Sequence, residues 1–165
     1  MSIMSLQDVY IDQLKDMYSA EKQLTEALPR MVQAASSKDL QKAFQNHLQK
    51  TQMHLNTVQE ILHQLDENPT SSKCEAMEGL IAEGDEIAKE DGNADARDAA
   101  LIVAAQKVEH YEIASYGSLR TLAESLGYGE AAQTLQGILN DEYEADQELD
   151  DLAMGIHHKP GINAE

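Results

Sequence analysis

Four long stretches of this chain repeat apolar residues at alternating spacings of three and four, and that repeat decides the fold class. In the first stretch the stripe is Tyr10, Leu14, Met17, Glu21, Leu24 and Leu28. In the second it is Phe44, Leu48, Thr51, Leu55, Val58, Leu62 and Leu65, with His47 and His54 close to the same face. The third reads Ile102, Ala105, Glu109, Glu112, Tyr116, Leu119, Ala123 and Leu126, and the fourth Leu135, Ile138, Glu142, Ala145, Leu149, Leu152 and Ile156. Residues three and four apart share one side of an α-helix, so each stripe is a face to be buried. β-branched and aromatic residues never alternate with polar ones over a useful length, so no strand competes. The expected class is all-α, a four-helix bundle.

Turn residues divide the chain. The first long helix is expected from Ser5 to Ala35, with Pro29 as a kink or local break near its end. Ser36 or Ser37 caps the second, which runs to Asp66. Asn68-Pro69-Thr70-Ser71-Ser72 reads as a loop, and a short extra helix from Glu75 to Lys89 fills the crossover to the third long helix. That helix runs from Asp95 to Gly127, where Gly suits a left-handed C-terminal position, and the fourth from Glu130 to Gly155. The long helices each span roughly 40 to 50 Å at 1.5 Å per residue. Residues 1–155 thus form the bundle and residues 156–165 a loose tail.

Glu21, Glu109, Glu112 and Glu142 occupy positions that the repeat reserves for apolar side chains, and each falls near the middle of its helix. Burying an ionised carboxylate costs several kcal/mol, against a total stability of about 5–15 kcal/mol for a domain. Metal ions, shared protons or basic side chains must neutralise the set. Oxygen-rich sites inside bundles suit iron or manganese, and ligands at i and i+3 on facing helices build a two-metal site. Glu109 and Glu112 form such a pair, with Glu112 the expected bridge, and Asp146 lies one turn beyond Glu142. Shifting the first half by 91 residues lays Glu21 on Glu112, Leu28 on Leu119, Phe44 on Leu135, Leu48 on Leu139 and Thr51 on Glu142, a weak internal repeat in which Thr51 stands where a ligand belongs.

The remaining composition narrows the function classes. Of 165 residues, 12 are Lys or Arg and 30 Asp or Glu, for a formal charge of −18. Such a surface repels nucleic acid and anionic lipid and attracts cations. No stretch approaches the roughly 20 apolar residues of a membrane span, and the N-terminus lacks the regions of a signal peptide, so a cytoplasmic location is expected. The one cysteine, Cys74, forms no internal disulfide; it follows Lys73 and reads as an exposed thiol near a helix start. Tyr18, Tyr111 and Tyr116 lie in register to hydrogen-bond the carboxylate cluster.

The segments YSAEKQLTEAL, KCEAMEGLI, RDAALIVAAQKVEHYEIASYGSL and TLAESLGYGEAA closely resemble those of the YciF/YciE-type ferritin-like bacterial stress proteins, over about residues 5–153. The resemblance implies a ferritin-like bundle, a homodimer, and a di-iron or di-manganese site carried by Glu21, Glu109, Glu112 and Glu142, followed by Asp146. One position departs. Relatives read HLEET or HLSET where this chain has His47-Leu48-Gln49-Lys50-Thr51, so Lys50 replaces a Glu. Its ammonium either enters the carboxylate cluster, leaving a single ion or a metal-free acidic structural protein, or turns to solvent while His54, the better candidate, or His47 supplies a nitrogen ligand.

Overall fold

A computed structural model describes residues 3–157 of the chain, the last two as backbone only. Five α-helices follow one another: α1 (Leu6–Ala34), α2 (Lys38–Gln64), α3 (Glu75–Lys89), α4 (Ala94–Ser125) and α5 (Gly129–His157). The helix boundaries have local causes. Ser5 and Ser37 cap α1 and α2 by accepting the N–H of Asp8 and of Leu40, and Asn93 caps α4 by accepting that of Ala96. Gly127 adopts a φ of +80° after α4, and the Gly127 and Tyr128 N–H groups close the helix onto the carbonyls of Glu124 and Ala123. α1 passes through Pro29 without a break. The hydrogen bond lost there is outweighed by packing of the adjoining Ala27 and Leu28, both buried. The expected loop after α2 contains one 3-10 turn, Pro69–Ser71, capped by Asn68.

α1 packs on α2 and α4, α5 packs on α4 and α2, and α3 lies across α1 and α4. Short links make α1/α2 and α4/α5 antiparallel hairpins. The crossover between them travels the length of the bundle: Lys15 pairs with Glu67 at 2.6 Å at one end, and the Asp98 carboxylate holds the α1–α2 link at the other. Asp98 is buried, and its two oxygens accept the Ser36 and Ser37 N–H groups at 2.8 and 2.7 Å. This is the expected bundle with its short extra helix. The tail lies outside the described residues beyond His157, and α5 extends two residues past the expected Gly155.

The core is apolar above and below a polar middle. Tyr10, Leu14, Met17, Leu62, Leu119 and Leu135 fill one half, and Leu24, Leu40, Phe44, Leu101 and Ile102 the other. On α2 the buried face is turned from the expected one: Leu48, Leu55 and Leu65 are half-buried, while His47, Thr51, His54 and Val58 are buried. The 4-3-4 spacing of these four residues is itself a helical stripe, and it puts both histidines inside. The 91-residue shift matches burial at four of its five pairs, including Thr51 on Glu142, and fails at half-buried Leu48.

Candidate metal centre

The polar middle of the core is built by four of the five helices. α1 contributes Glu21, α2 His47 and His54, α4 Glu109 and Glu112 one turn apart, and α5 Glu142; each is buried. Their donor atoms fall into two groups, within each of which every atom lies within 4.8 Å of the others. One comprises His47, Glu109, Glu112 and Glu142, the other Glu21, His54 and Glu142. Glu142, rather than Glu112, is thus common to both.

Contacts inside the groups are close without being satisfied. His47 Nε2 is 3.4 Å from Glu109 Oε1 and 3.7 Å from Glu112 Oε2, and its Nδ1 is 4.0 Å from Glu142 Oε2. His54 Nδ1 is 2.9 Å from Glu142 Oε1 and 3.9 Å from Glu21 Oε1. Yet both ring nitrogens of His47, both oxygens of Glu112 and of Glu142, Glu21 Oε2, Glu109 Oε2 and His54 Nδ1 make no aligned hydrogen bond among the described residues. Buried polar atoms are paired in the great majority of cases, so this many orphans at one point make a group that could hold a metal ion. Four carboxylates and two imidazoles are the donor set that suits iron or manganese, and two divalent ions balance four negative charges.

Electrostatics point the same way. Burial, reinforced by the neighbouring carboxylates, holds Glu21, Glu109 and Glu112 well above the usual carboxylate range. Burial also acts to raise Glu142, but the His54 and His47 rings beside it outweigh burial and leave it below its ordinary value. For His54, burial acts to lower the pKa and is outweighed by Glu142, Glu21 and Asp141, so the net shift is upward. Without metal the site is three carboxyl groups that resist ionisation around Glu142, which favours it, and an imidazole drawn toward protonation.

Several side chains steady the candidate ligands. Tyr116 donates from its phenol to Glu21 Oε1, the role expected of a tyrosine in this register. Tyr111 instead donates to Asp16 at 2.6 Å, with Cys74 Sγ 3.0 Å from the same hydroxyl. Cys74 is therefore not an exposed thiol: it is buried at the start of α3, and burial raises its pKa. His54 Nε2 lies 3.0 Å from Asp141 Oδ2, which leaves Nδ1 directed at Glu142 and Glu21. A carboxylate behind a ligand histidine fixes the ring and its tautomer.

Lys50 does not enter the cluster. Its ammonium sits at the rim, 3.0 Å from both Asp141 Oδ1 and Glu144 Oε2, because α2 turns His47, Thr51 and His54 inward and leaves residue 50 on the flank. Asp146 belongs to neither group: its Oδ2 lies 3.2 Å from His110 Nε2, on the outer side of α4. His47, ranked behind His54 on sequence, stands in the larger group, and Asp141, which buttresses His54, is not a sequence candidate at all. The 47–51–54–58 spacing is the signal for His47; Asp141 has none along its own helix.

A solvent-accessible cleft between α2 and α5 reaches this site. Its volume is about 380 Å³; Lys50, Met53, Glu144 and Glu148 line it together with His47 and Glu109. From the α3 side an apolar crevice of about 40 Å³, lined by Leu24, Met31, Gly84, Ala104 and Val108, meets the same two residues.

Comparison with known proteins places this arrangement. Residues 5–160 match a family model described as a domain of unknown function (DUF892). The chain belongs to the DUF892 family. The sequence is 45% identical over 164 residues to protein YciF of Escherichia coli K12, covering 99% of both chains. The crystal structure of the E. coli stress protein YciF superposes with a TM-score of 0.92 at 46% identity, covering 95% of this chain and 99% of that one, so the fold is the ferritin-like bundle. YcfI of Rhodopseudomonas palustris, described as a candidate structural protein, gives a TM-score of 0.86 at 38% identity over 90% of this chain and 95% of its own. The family fold is also seen in protein XCC3681 of Xanthomonas campestris, with a TM-score of 0.74 at 23% identity over 93% and 94% of the two chains. No helix among the described residues is long and apolar enough to cross a membrane.

Proposed function

We propose that this chain is a cytoplasmic stress protein that binds one or two iron or manganese ions in the middle of its bundle. The observation that carries the reading is the convergence of buried donors from four helices, most of them without an aligned hydrogen bond among the described residues, into two groups joined by Glu142. Glu109, Glu112 and His47 would hold one ion, Glu21 and His54 the other, with Glu142 between. Such ions supply one-electron and two-electron redox chemistry toward dioxygen or peroxide, a protective oxidase or peroxidase activity. The protein's own part is to hold four carboxylates ionised around the ions, keep the His54 ring oriented through Asp141, and surround the centre with apolar core that limits water. Exposed Val103, Tyr143 and Met154 leave apolar surface for the homodimer that goes with this reading. Elemental analysis of protein purified from iron- or manganese-supplemented cells tests it: the parent is expected to carry metal and Glu109→Ala to lose it, whereas equal, trace contents refute the reading.

A second reading, a metal-free acidic structural protein, draws support from the raised pKa values of Glu21, Glu109 and Glu112, since neutral carboxyls are less costly to bury. Chelator titration followed by melting separates the two, because only a metal centre loses stability when metal is removed.

A further inference from the structure

The two metal-ligand groups are not equally reachable. The cleft between α2 and α5 ends on His47 and Glu109, while neither Glu21 nor His54 lines it. His47 is 6% exposed and Glu109 2%, and both ring nitrogens of His47 and Glu109 Oε2 lack hydrogen-bond partners among the described residues, so the cleft floor is a buried pair of free donors. Its walls are joined by the Lys50–Glu144 ion pair, which bridges α2 to α5 at 3.0 Å, and exposed Glu148 lies one helical turn beyond Glu144. The other approach, from the α3 side, offers about 40 Å³ and almost only apolar lining. A hydrated dication entering there would shed water with only the Asp85 carboxylate, already held by Arg30 at 2.9 Å, to replace it before Glu109, which is strongly unfavourable. The α2–α5 cleft instead offers the carboxylates of Glu148, Glu144 and Glu109 along its lining.

We propose that the α2–α5 cleft is the path by which divalent cations reach the centre, that Glu148 attracts them at its mouth, and that Lys50 slows their passage. The inference rests on the metal-centre reading and adds a direction to it: the position bounded by His47 and Glu109 loads from solvent, and the Glu21–His54 position lies behind it. Charges at the mouth then set the loading rate and have little bearing on final affinity, since Glu148 belongs to neither ligand group.

The test is stopped-flow mixing of the metal-free full-length chain with Co(II), read by visible absorption, beside an equilibrium Co(II) titration of each variant. A two-charge change at the mouth of a dication's path predicts that Glu148→Lys loads roughly five- to tenfold more slowly at low salt, the difference fading at high salt. Equilibrium affinity is expected to stay within about twofold. Lys50→Gln is expected to load faster. Gly84→Ala, whose added methyl meets Met31 Sδ at 3.6 Å, narrows the apolar crevice without a clash and is expected to leave the rate unchanged. Unaltered loading in Glu148→Lys, or slowing in Gly84→Ala alone, with Co(II) bound normally at equilibrium, overturns the path while leaving the centre intact. A parent chain that binds no Co(II) overturns both.

Discussion

Replacing Glu112 by Leu is expected to stabilise the metal-free protein while removing the stability it gains from metal. Glu112 is fully buried, and neither carboxylate oxygen has a hydrogen-bond partner among the described residues. Each such orphaned atom costs about 1–3 kcal/mol relative to a paired one. Exchanging a strained polar set for apolar packing has returned about 1–4 kcal/mol in other cores, and the extra bulk of Leu opposes this by about 1–3 kcal/mol. A net gain of about 2 kcal/mol is the central expectation, which for a chain of this size is roughly 4–8 °C in Tm. Metal reverses the order. At a free concentration one hundred times Kd, a single ion stabilises the parent by about 2.7 kcal/mol, and the variant, with a ligand missing, by much less. Calorimetric melts in EDTA and in excess Mn(II) are the assay: the variant melts higher in the first and lower in the second. A Tm several degrees below the parent in EDTA refutes the reasoning, because Glu112 would then be contributing stability without metal.

Other outcomes follow from the same geometry. In the metal-free protein, Glu21, Glu109 and Glu112 have folded pKa values raised above 4.5 and His54 above 6.5; their stabilisation is complete below those unfolded values and is lost as pH rises through the folded ones. Glu142 is shifted the other way, and its contribution disappears only as pH falls below 4.5. Melting in EDTA is therefore expected at higher temperature near about pH 5.5 than near about pH 8, and metal-loaded protein to show the opposite slope as protons displace metal. Asp141→Asn, which weakens the hold on His54, is expected to lower affinity at the Glu21–His54 position by about 10- to 100-fold in a Mn(II) titration while the His47 position still binds. Asp98→Ala removes two charge-assisted bonds to the α1–α2 link and is expected to cost about 3 kcal/mol in urea unfolding, with Asp98→Asn recovering part of it.

The four glutamates could be found along the chain because a carboxylate interrupting a 3-4 apolar repeat has no other easy explanation, and all four prove buried. Histidine does not interrupt such a repeat as sharply. His47 and His54 compete there with Leu48 and Leu55 one residue away, and only packing against α4 and α5 decides which pair turns inward. Asp141 is harder still. It immediately precedes Glu142 in an acidic run, 100° around the helix, and its purpose lies in a residue 87 positions earlier. Lys50 shows the converse limit: its charge invited a place among the carboxylates, while its register, three residues after His47 and four before His54, sends it to the rim.

The division of candidate ligands between the hairpins has a consequence for motion. α1/α2 supplies Glu21, His47 and His54, and α4/α5 supplies Glu109, Glu112 and Glu142, so each ligand group draws on both halves. Ions at the centre would rivet two units that are otherwise linked by apolar packing, by a few polar pairs such as Lys50–Glu144, Tyr111–Asp16 and Asp98 with the α1–α2 link, and by one long crossover. Slow amide hydrogen exchange along the inner faces of all four long helices, quickening together when the ions are stripped, is the signature of such a rivet: the halves open as two cooperative blocks, each keeping its own helices while their shared seam parts.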